Sequence, residues 1–360
     1  MSQGSCFGDA LLKALKTYYQ SSAFRGALNK TTKTLRAKLR SLFVKEVDCA
    51  PYLISERMIG STAQNAGAKL KLFTGPVLCE GREGNLHINR APLENSTDEI
   101  GRRRSSKAFW YSQPRIKIDF ALSLHTAHPN NYWHFFAHAL PKILYLEDEL
   151  GATDFPILIN ERMARCGFFK GAVELGFFGQ HELLIQKASE VYELREIAVV
   201  CPPHDPDDYL DKVLDRFQIS GDSDFSDRIY IHRGHQSANG RSIDNIDEVV
   251  ELLEGHGFRL VDPQNHSLKE QMEIFSRAGT VVSPHGAGLA NILFRRGAPL
   301  CVYEIFYGNL NHSCYLDVCN RYGFTHVRAE MASTRGKPTS GSATINIESL
   351  KAYLKTLPAL

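Results

Sequence analysis

From Asp227 onward, short apolar runs of strand length alternate with stretches of helical periodicity. The runs fall at 228–232, 258–261, 280–283, 300–305 and 325–328. Helical patterns occupy 245–256, 267–278 and 312–322. Val249, Leu252 and Leu253 share one face of the first helix. Ser267 precedes the second as an N-cap, with Glu270 three residues on, the spacing of a capping box. Repeated strand–helix–strand units with short links leave little choice of fold: a parallel sheet with helices on both faces. Ligands of such sheets bind beyond the carboxyl ends of the strands. Ser283, His285 and Glu304 all fall at those ends.

The stretch from Thr280 to Phe294 reads as a buried strand, a tight turn Ser283-Pro284-His285-Gly286-Ala287-Gly288, and the first turns of a helix. Backbone N–H groups at a helix start, together with the helix dipole, make a seat for a phosphate. Two glycines let the backbone approach it closely. Neither G-x-G-x-x-G nor G-x-x-x-x-G-K-[ST] occurs, so neither a dinucleotide nor a P-loop fingerprint is present. A plain strand-to-helix turn would also use the glycines, but it has no need of the imidazole of His285.

Three further features stand out. Arg233 follows the strand 228–232 at the same rim, where a guanidinium can grip a diphosphate bidentately. In Arg241-Ser242-Ile243-Asp244-Asn245-Ile246-Asp247-Glu248, Asn245 suits an N-cap and the two acids suit a first helical turn, which leaves Arg241 for function. In Asn131-Tyr132-Trp133-His134-Phe135-Phe136-Ala137-His138, the two histidines are four apart and share a helix face. The glutamate of H-E-x-x-H is missing and no third ligand is evident, which argues against a metal. A histidine packed in an apolar helix and an aromatic sugar-stacking wall are the alternatives. Pro141 is expected to kink or split the helix 131–150.

The chain of 360 residues, 43% hydrophobic and 23% charged, is long enough for two domains. Its net charge of +2 does not point to nucleic acid as a partner. The eight cysteines show no C-x-x-C pair and read as buried thiols. Residues 9–45 carry nine Lys or Arg and one acid, with Leu11, Leu12, Leu15, Tyr18 and Tyr19 at helical spacing. Such a segment either packs as a solvated helical face or lies against an anionic membrane surface. No apolar run is long enough to span a bilayer, and no signal peptide is evident, so a cytoplasmic location, peripheral to the inner face of the membrane, is expected. Strands are expected at 70–73, 76–79, 86–88, 115–124, 156–159 and 183–185, and a linking helix at 207–217. The expected parts are a basic helical segment 1–50, an α/β domain 51–203, a second α/β domain 204–335 and a C-terminal tail or helix 336–360.

The order N-Y-x-H (131–134), Y-I-x-R (230–233), R-x-I-x-N-x-x-E (241–248), S-P-H-G-A-G-L-x-N-x-L-F (283–294) and V-Y-E (302–304) resembles glycosyltransferase family 61 over roughly residues 115–330. The resemblance implies an α/β, GT-B-like fold: two Rossmann-like domains facing across a cleft, the second binding a nucleotide-diphosphate sugar such as a UDP-sugar. It implies inverting transfer to a glycan or glycolipid hydroxyl in polysaccharide synthesis, with no cofactor and no obligatory metal. Carried onto this chain, it makes Arg233, Arg241, Asn245, Ser283, His285, Gly286, Ala287, Gly288, Asn291 and Glu304 the donor site. Glu304 is expected to bind a ribose, and His134 and then His138 are the candidate bases. The chain departs from many bacterial members, which carry an acid where His138 and Ile246 stand. Other phosphate-handling enzymes on such a sheet, an epimerase or a phosphatase, and a non-catalytic binding relative are the competing expectations.

Overall fold

The structure, a computed structural model, describes residues 53–61, 67–82, 84–88, 91–92, 115–203, 205, 207–219, 225–232, 240–307, 313–336 and 341–358. The basic segment 1–50 and Arg233 lie outside the described residues.

The first half is built on an eight-stranded sheet of β1 (Leu53–Ile59), β2 (Ala68–Glu80), β3 (Leu86–Ile88), β4 (Ala91–Pro92), β5 (Arg115–Ser123), β6 (Ile157–Asn160), β7 (Leu183–Gln186) and β8 (Val191–Cys201). Its order is β4-β3-β2-β8-β5-β6-β7, with β1 on β2. The strands β5 to β8 run parallel to their neighbours within that group, and β1 to β4 pair antiparallel. The two strands expected at 70–73 and 76–79 are one, β2. A register shift between Thr74 and Val77 absorbs Gly75-Pro76 as a bulge, which spares the ladder the donor that proline lacks.

The helix expected over 131–150 has three parts: a turn of α-helix, α1 (Tyr132–His134), a π-helical stretch Phe135–Ala139, and α2 (Leu140–Leu150). Asn131 caps its start by accepting from the His134 N–H at 3.2 Å. The expected effect of Pro141 takes the form of that π stretch. Proline has no N–H, and its ring crowds the carbonyl four residues back; widening the turn before it relieves both. Two short helices follow, α3 (Glu161–Ala164) and α4 (Gly167–Glu174). The linking helix α5 (Asp208–Arg216), capped by Asp207, leads to the second half.

The second half has β9 (Asp227–Ile231), β10 (Ser242–Ile243), α6 (Ile246–Glu254), β11 (Phe258–Val261), α7 (Leu268–Ser276), β12 (Ala278–Pro284), a 3₁₀ helix Ala287–Arg295, β13 (Cys301–Ile305), α8 (Cys314–Tyr322) and β14 (Thr325–Arg328). Its five-stranded sheet is wholly parallel, in the order β11-β9-β12-β13-β14. The first strand in sequence therefore lies between the second and the third, and the strand order reverses at the β9–β12 gap. That reversal opens a crevice at the carboxyl ends of those two strands. The capping box of α7 forms as its sequence requires: Glu270 N–H donates to Ser267 Oγ at 3.3 Å and Ser267 N–H to Glu270 Oε2 at 2.7 Å. Two strands and a helix follow where 325–328 was expected to be the last strand: β15 (Met331–Arg335), β16 (Ser342–Ile345) and α9 (Ile347–Leu354). The stretch read as a tail or helix folds back, with α9 as its helix, and Ala343, Ile345, Leu350 and Leu354 bury against Val249 and Leu253 of α6 and Tyr303 of β13.

Strand alternation divides the apolar side chains between two layers. Tyr230, Val282 and Tyr303 face α6 and α9, whereas Ile229, Val281 and Val302 face a large cluster on the other side. That cluster runs without interruption from the first sheet, through Phe136, Phe169 and Leu210, to Phe275 of α7 and Leu289 and Leu293 of the 3₁₀ helix. Gly171 on α4 makes the contact close, since a Cβ there would sit 2.5 Å from the Leu268 Cβ of α7. Phe136 meets Phe294 edge-on at 5.5 Å between ring centroids. Burying each such ring is worth about 1.5–3 kcal/mol, so the two halves are fixed to each other by packing as well as by chain connection.

Candidate functional site

β12 delivers the chain into the β9–β12 crevice, and the turn there is set by Gly286 at φ 153°, ψ 176°. This backbone region is essentially closed to residues with a Cβ. His285 on one side and Leu289 on the other are buried, while Gly286, Ala287 and Gly288 are partly exposed. The first bond of the helix runs from Leu289 N–H to Gly286 O at 2.9 Å, so the N–H groups of Gly286, Ala287 and Gly288 precede the bonded turns. The helix that follows is wound as 3₁₀ over nine residues. Its aligned peptides still direct the positive end of their dipole at the turn.

The turn is braced from three sides. Arg241 donates through Nη1 to the His285 carbonyl at 2.9 Å, and its guanidinium lies over the Tyr307 ring at 5.6 Å. Tyr315 of α8 donates to Gly286 O at 2.8 Å. Asn291 donates to Gly288 O at 2.9 Å and accepts from the Tyr132 hydroxyl at 2.8 Å, a bond between the two halves of the chain. Burial raises the Tyr132 pKa well above the usual phenol range, so its hydroxyl stays a donor.

His285 is held by a buried carboxylate. Its Nδ1 lies 2.6 Å from Glu304 Oε1, and the other oxygen, Oε2, lies 2.7 Å from His326 Nε2. Glu304 was read as a ribose partner; it is 1% exposed, and both its oxygens are engaged within the protein. Burial alone would raise its pKa, but the hydrogen bonds and charges of His285 and His326 outweigh this and hold it below the ordinary 4.5. The neighbouring thiols of Cys314 and Cys319 are each pushed up to about 12, by burial first and by the Glu304 charge second, so neither is a nucleophile near neutrality. The His285 ring stacks on Phe306 at 5.3 Å, and Arg328 covers that ring at 4.2 Å.

Two other residues of the expected donor site serve the scaffold. Ser283 is fully buried, and its hydroxyl donates to Pro284 O at 2.9 Å. Asn245 stands at the N-cap position of α6 without capping it. Its amide instead pairs with Ile345 in both directions, each bond 3.0 Å, and so acts as an extra rung of the small β10–β16–β15 sheet.

Across from the turn, His134 and His138 meet Nδ1 to Nδ1 at 2.9 Å. One nitrogen must donate and the other accept, so one ring is Nδ1-protonated and the other is not. His138 is 2% exposed, whereas His134 is partly exposed and meets the His128 ring at 4.7 Å, tilted by 30°. Trp133 and Tyr315 span the distance between this pair and the turn. Trp133 meets His138 at 6.4 Å and Tyr315 at 5.4 Å, and Tyr315 meets His285 at 5.5 Å, all edge-on. Packing thus brings His134, His138, Arg241, His285, Asn291 and Glu304 into one neighbourhood. His326, Phe306, Tyr315 and Arg328 belong to it too and went unnoticed in the sequence, because no local pattern ties a residue of β14 or α8 to a carboxylate on β13.

Among the described residues, no group of three or more His, Cys, Asp and Glu is arranged to hold a metal ion, and no helix is long and apolar enough to cross a membrane.

Residues 132–301, a little under half of the chain, match the family model of glycosyltransferase 61. The match supports placing the chain with that family. It also supports a glycosyltransferase activity in general, with a sugar donor and a glycan acceptor. The matched span covers both histidines of the pair, Arg241 and the whole glycine turn, and stops three residues before Glu304. No curated protein matches the chain.

Proposed function

We propose that the protein is an inverting glycosyltransferase that moves a sugar from a nucleotide-diphosphate donor, a UDP-sugar, to a glycan hydroxyl. One observation carries the reading: a glycine turn at a strand-order reversal, a few rings away from a partly exposed histidine. The N–H groups of Gly286, Ala287 and Gly288 stabilise the charge that develops on the departing diphosphate, with Arg233 and Arg241 adding positive charge. This is the larger part of the acceleration. His134 takes the proton of the attacking hydroxyl through Nε2, which requires its Nδ1 to carry a proton and donate it to His138 Nδ1. His138 is therefore the residue that sets the tautomer of the base. The sugar carbon exchanges its bond to the diphosphate oxygen for one to the acceptor oxygen, with inversion. The proton ends on His134 and the charge on the diphosphate. Transfer without an obligatory metal belongs to the same reading.

UDP-sugar binding by calorimetry, alongside transfer and UDP release, tests it. Arg241→Ala is expected to lose donor affinity. His134→Ala is expected to keep donor affinity and lose transfer by about 10²–10⁴-fold. Normal transfer by both variants overturns the assignment. Turnover of the donor without nucleotide release points to an epimerase, and binding without turnover to a non-catalytic relative. Loss of transfer in EDTA that Mn²⁺ restores refutes the metal-free step.

A further inference from the structure

His326 lies outside the family match and outside every sequence motif, yet it binds the most buried acid of the site. On β14 it sits opposite Val302, and Arg328 two residues on sits opposite Glu304. With side chains alternating along each strand, His326 and Glu304 share one face of the sheet as diagonal neighbours. Their side chains are correspondingly 9% and 1% exposed.

The end of a glutamate side chain turns easily, because its last torsion has a broad, roughly two-fold profile. A carboxylate held by one N–H can rotate away from it; one held at both oxygens cannot. Glu304 is held at both: Oε2 by His326 at 2.7 Å and Oε1 by His285 at 2.6 Å. An ionised carboxylate only accepts, so each imidazole must present an N–H to it. That places a proton on Nδ1 of His285 and leaves Nε2 as the ring nitrogen through which His285 can meet a ligand.

We infer that His326 and Glu304 are positioning residues that hold the Nδ1 proton and the tilt of His285, so that Nε2 is the ring nitrogen turned to the departing diphosphate. The inference rests on the proposed function for the identity of that ligand, and on geometry alone for the tautomer. Donation from Nε2 takes the doubly protonated ring, because the neutral ring with its proton on Nδ1 has only a lone pair there; Glu304 stands behind that ring to balance the charge. Among the described residues, the other polar and charged groups around the triad include the Cys314 and Cys319 thiols and the Tyr315 hydroxyl on α8, Ser283 opposite Glu304 on β12, Arg241 at the His285 carbonyl, and Arg328 over Phe306. None of these is seen to compete for either Glu304 oxygen among the described contacts.

Ring-nitrogen ¹H–¹⁵N spectra of the full chain read the tautomer directly, with His285→Gln and His326→Gln supplying assignments. In the wild type, neutral His285 is expected to carry its proton on Nδ1; a proton on Nε2 overturns the inference with no variant needed. His326→Phe is expected to lose the fixed tautomer and to lower kcat about 10–100-fold, the scale of a hydrogen bond to a charged group, with a smaller change in donor KM. His326→Gln keeps an N–H donor and is expected to recover most of the rate. Equal loss in the Phe and Gln variants means that only packing matters and refutes the inference, as does an unchanged tautomer in His326→Phe. The spectra need no sugar donor, so the two readings fail separately. The Nδ1 tautomer without any sugar transfer breaks the proposed function alone, and transfer without that tautomer breaks only the role of His326.

Discussion

The two imidazoles proposed to work on opposite sides of the reaction are supported in different ways. His285 leans on a buried carboxylate that a second histidine pins, in a turn braced by Arg241 and Tyr315. His134 leans on a neutral imidazole, His138, at the end of a π-helical stretch. A carboxylate behind an imidazole fixes an N–H on that side and can balance the charge of the doubly protonated ring, the form that donates to a diphosphate. A neutral partner fixes a tautomer without adding negative charge, which suits a base that must start uncharged. The chain separates the two roles by what stands behind each ring.

Removing the carboxylate is the most severe way to break that contrast. Glu304→Gln replaces two charge-assisted hydrogen bonds, each worth about 1.5–3 kcal/mol, and turns an amide N–H₂ toward a ring N–H. Unfolding by urea near pH 7 should show a loss of at least that size, together with weaker UDP binding. The pH dependence sharpens the point. The Glu304 pKa is depressed in the folded state, so its stabilisation is complete above the ordinary 4.5 and drains away as the pH falls through the folded value. Glu304→Gln should therefore flatten the acid limb of stability below about pH 4.5. An acid limb that stays as steep in the variant would mean that Glu304 is not the group being protonated.

Next in size is the turn itself. Gly286→Ala must hold a backbone conformation that a Cβ strongly disfavours, at about 1–3 kcal/mol. If the residue relaxes instead, the three N–H groups move. Either way, donor binding should fall together with the melting temperature, whereas His134→Ala should leave donor binding in place. Unchanged UDP affinity in Gly286→Ala would remove the turn from the donor site.

The smallest effect is expected on the other side. His138→Gln gives up a neutral hydrogen bond worth about 0.5–1.5 kcal/mol, and its stability curve against pH should lack the acid-limb change of Glu304→Gln. Transfer should fall while donor binding holds. A stability loss as large as that of Glu304→Gln would erase the difference between the two supports.

Much of the second half was legible because its signals are local. The strands 258–261 and 325–328 match their expected bounds, and the Ser267–Glu270 capping box closes as its spacing requires. Bounds drift where a local signal was outweighed by pairing: Gly75-Pro76 reads as a break, yet neighbouring β8 carries β2 straight past it through a bulge. Asn245 has the chemistry of a cap, but the later strand β16 claims its amide. The stretch 336–360 reads as a tail or helix with no partner named, because its apolar residues have none nearby in sequence; they find one in α6.

The sequence by itself determined the alternation of strand and helix, the glycine turn that only a flexible backbone can make, and the residue types able to handle a phosphate and a proton. These depend on neighbours within a few positions, where propensity and periodicity act. The tertiary structure decided what each of those residues faces. It set the strand order β11-β9-β12-β13-β14 that opens a crevice at the turn, the Trp133–Tyr315 bridge to the histidine pair, and the grip of His285 and His326 on Glu304. Side chains 19 and 22 residues from Glu304 reach it only once the sheet has formed, because register, not sequence distance, brings a buried charge to its partners.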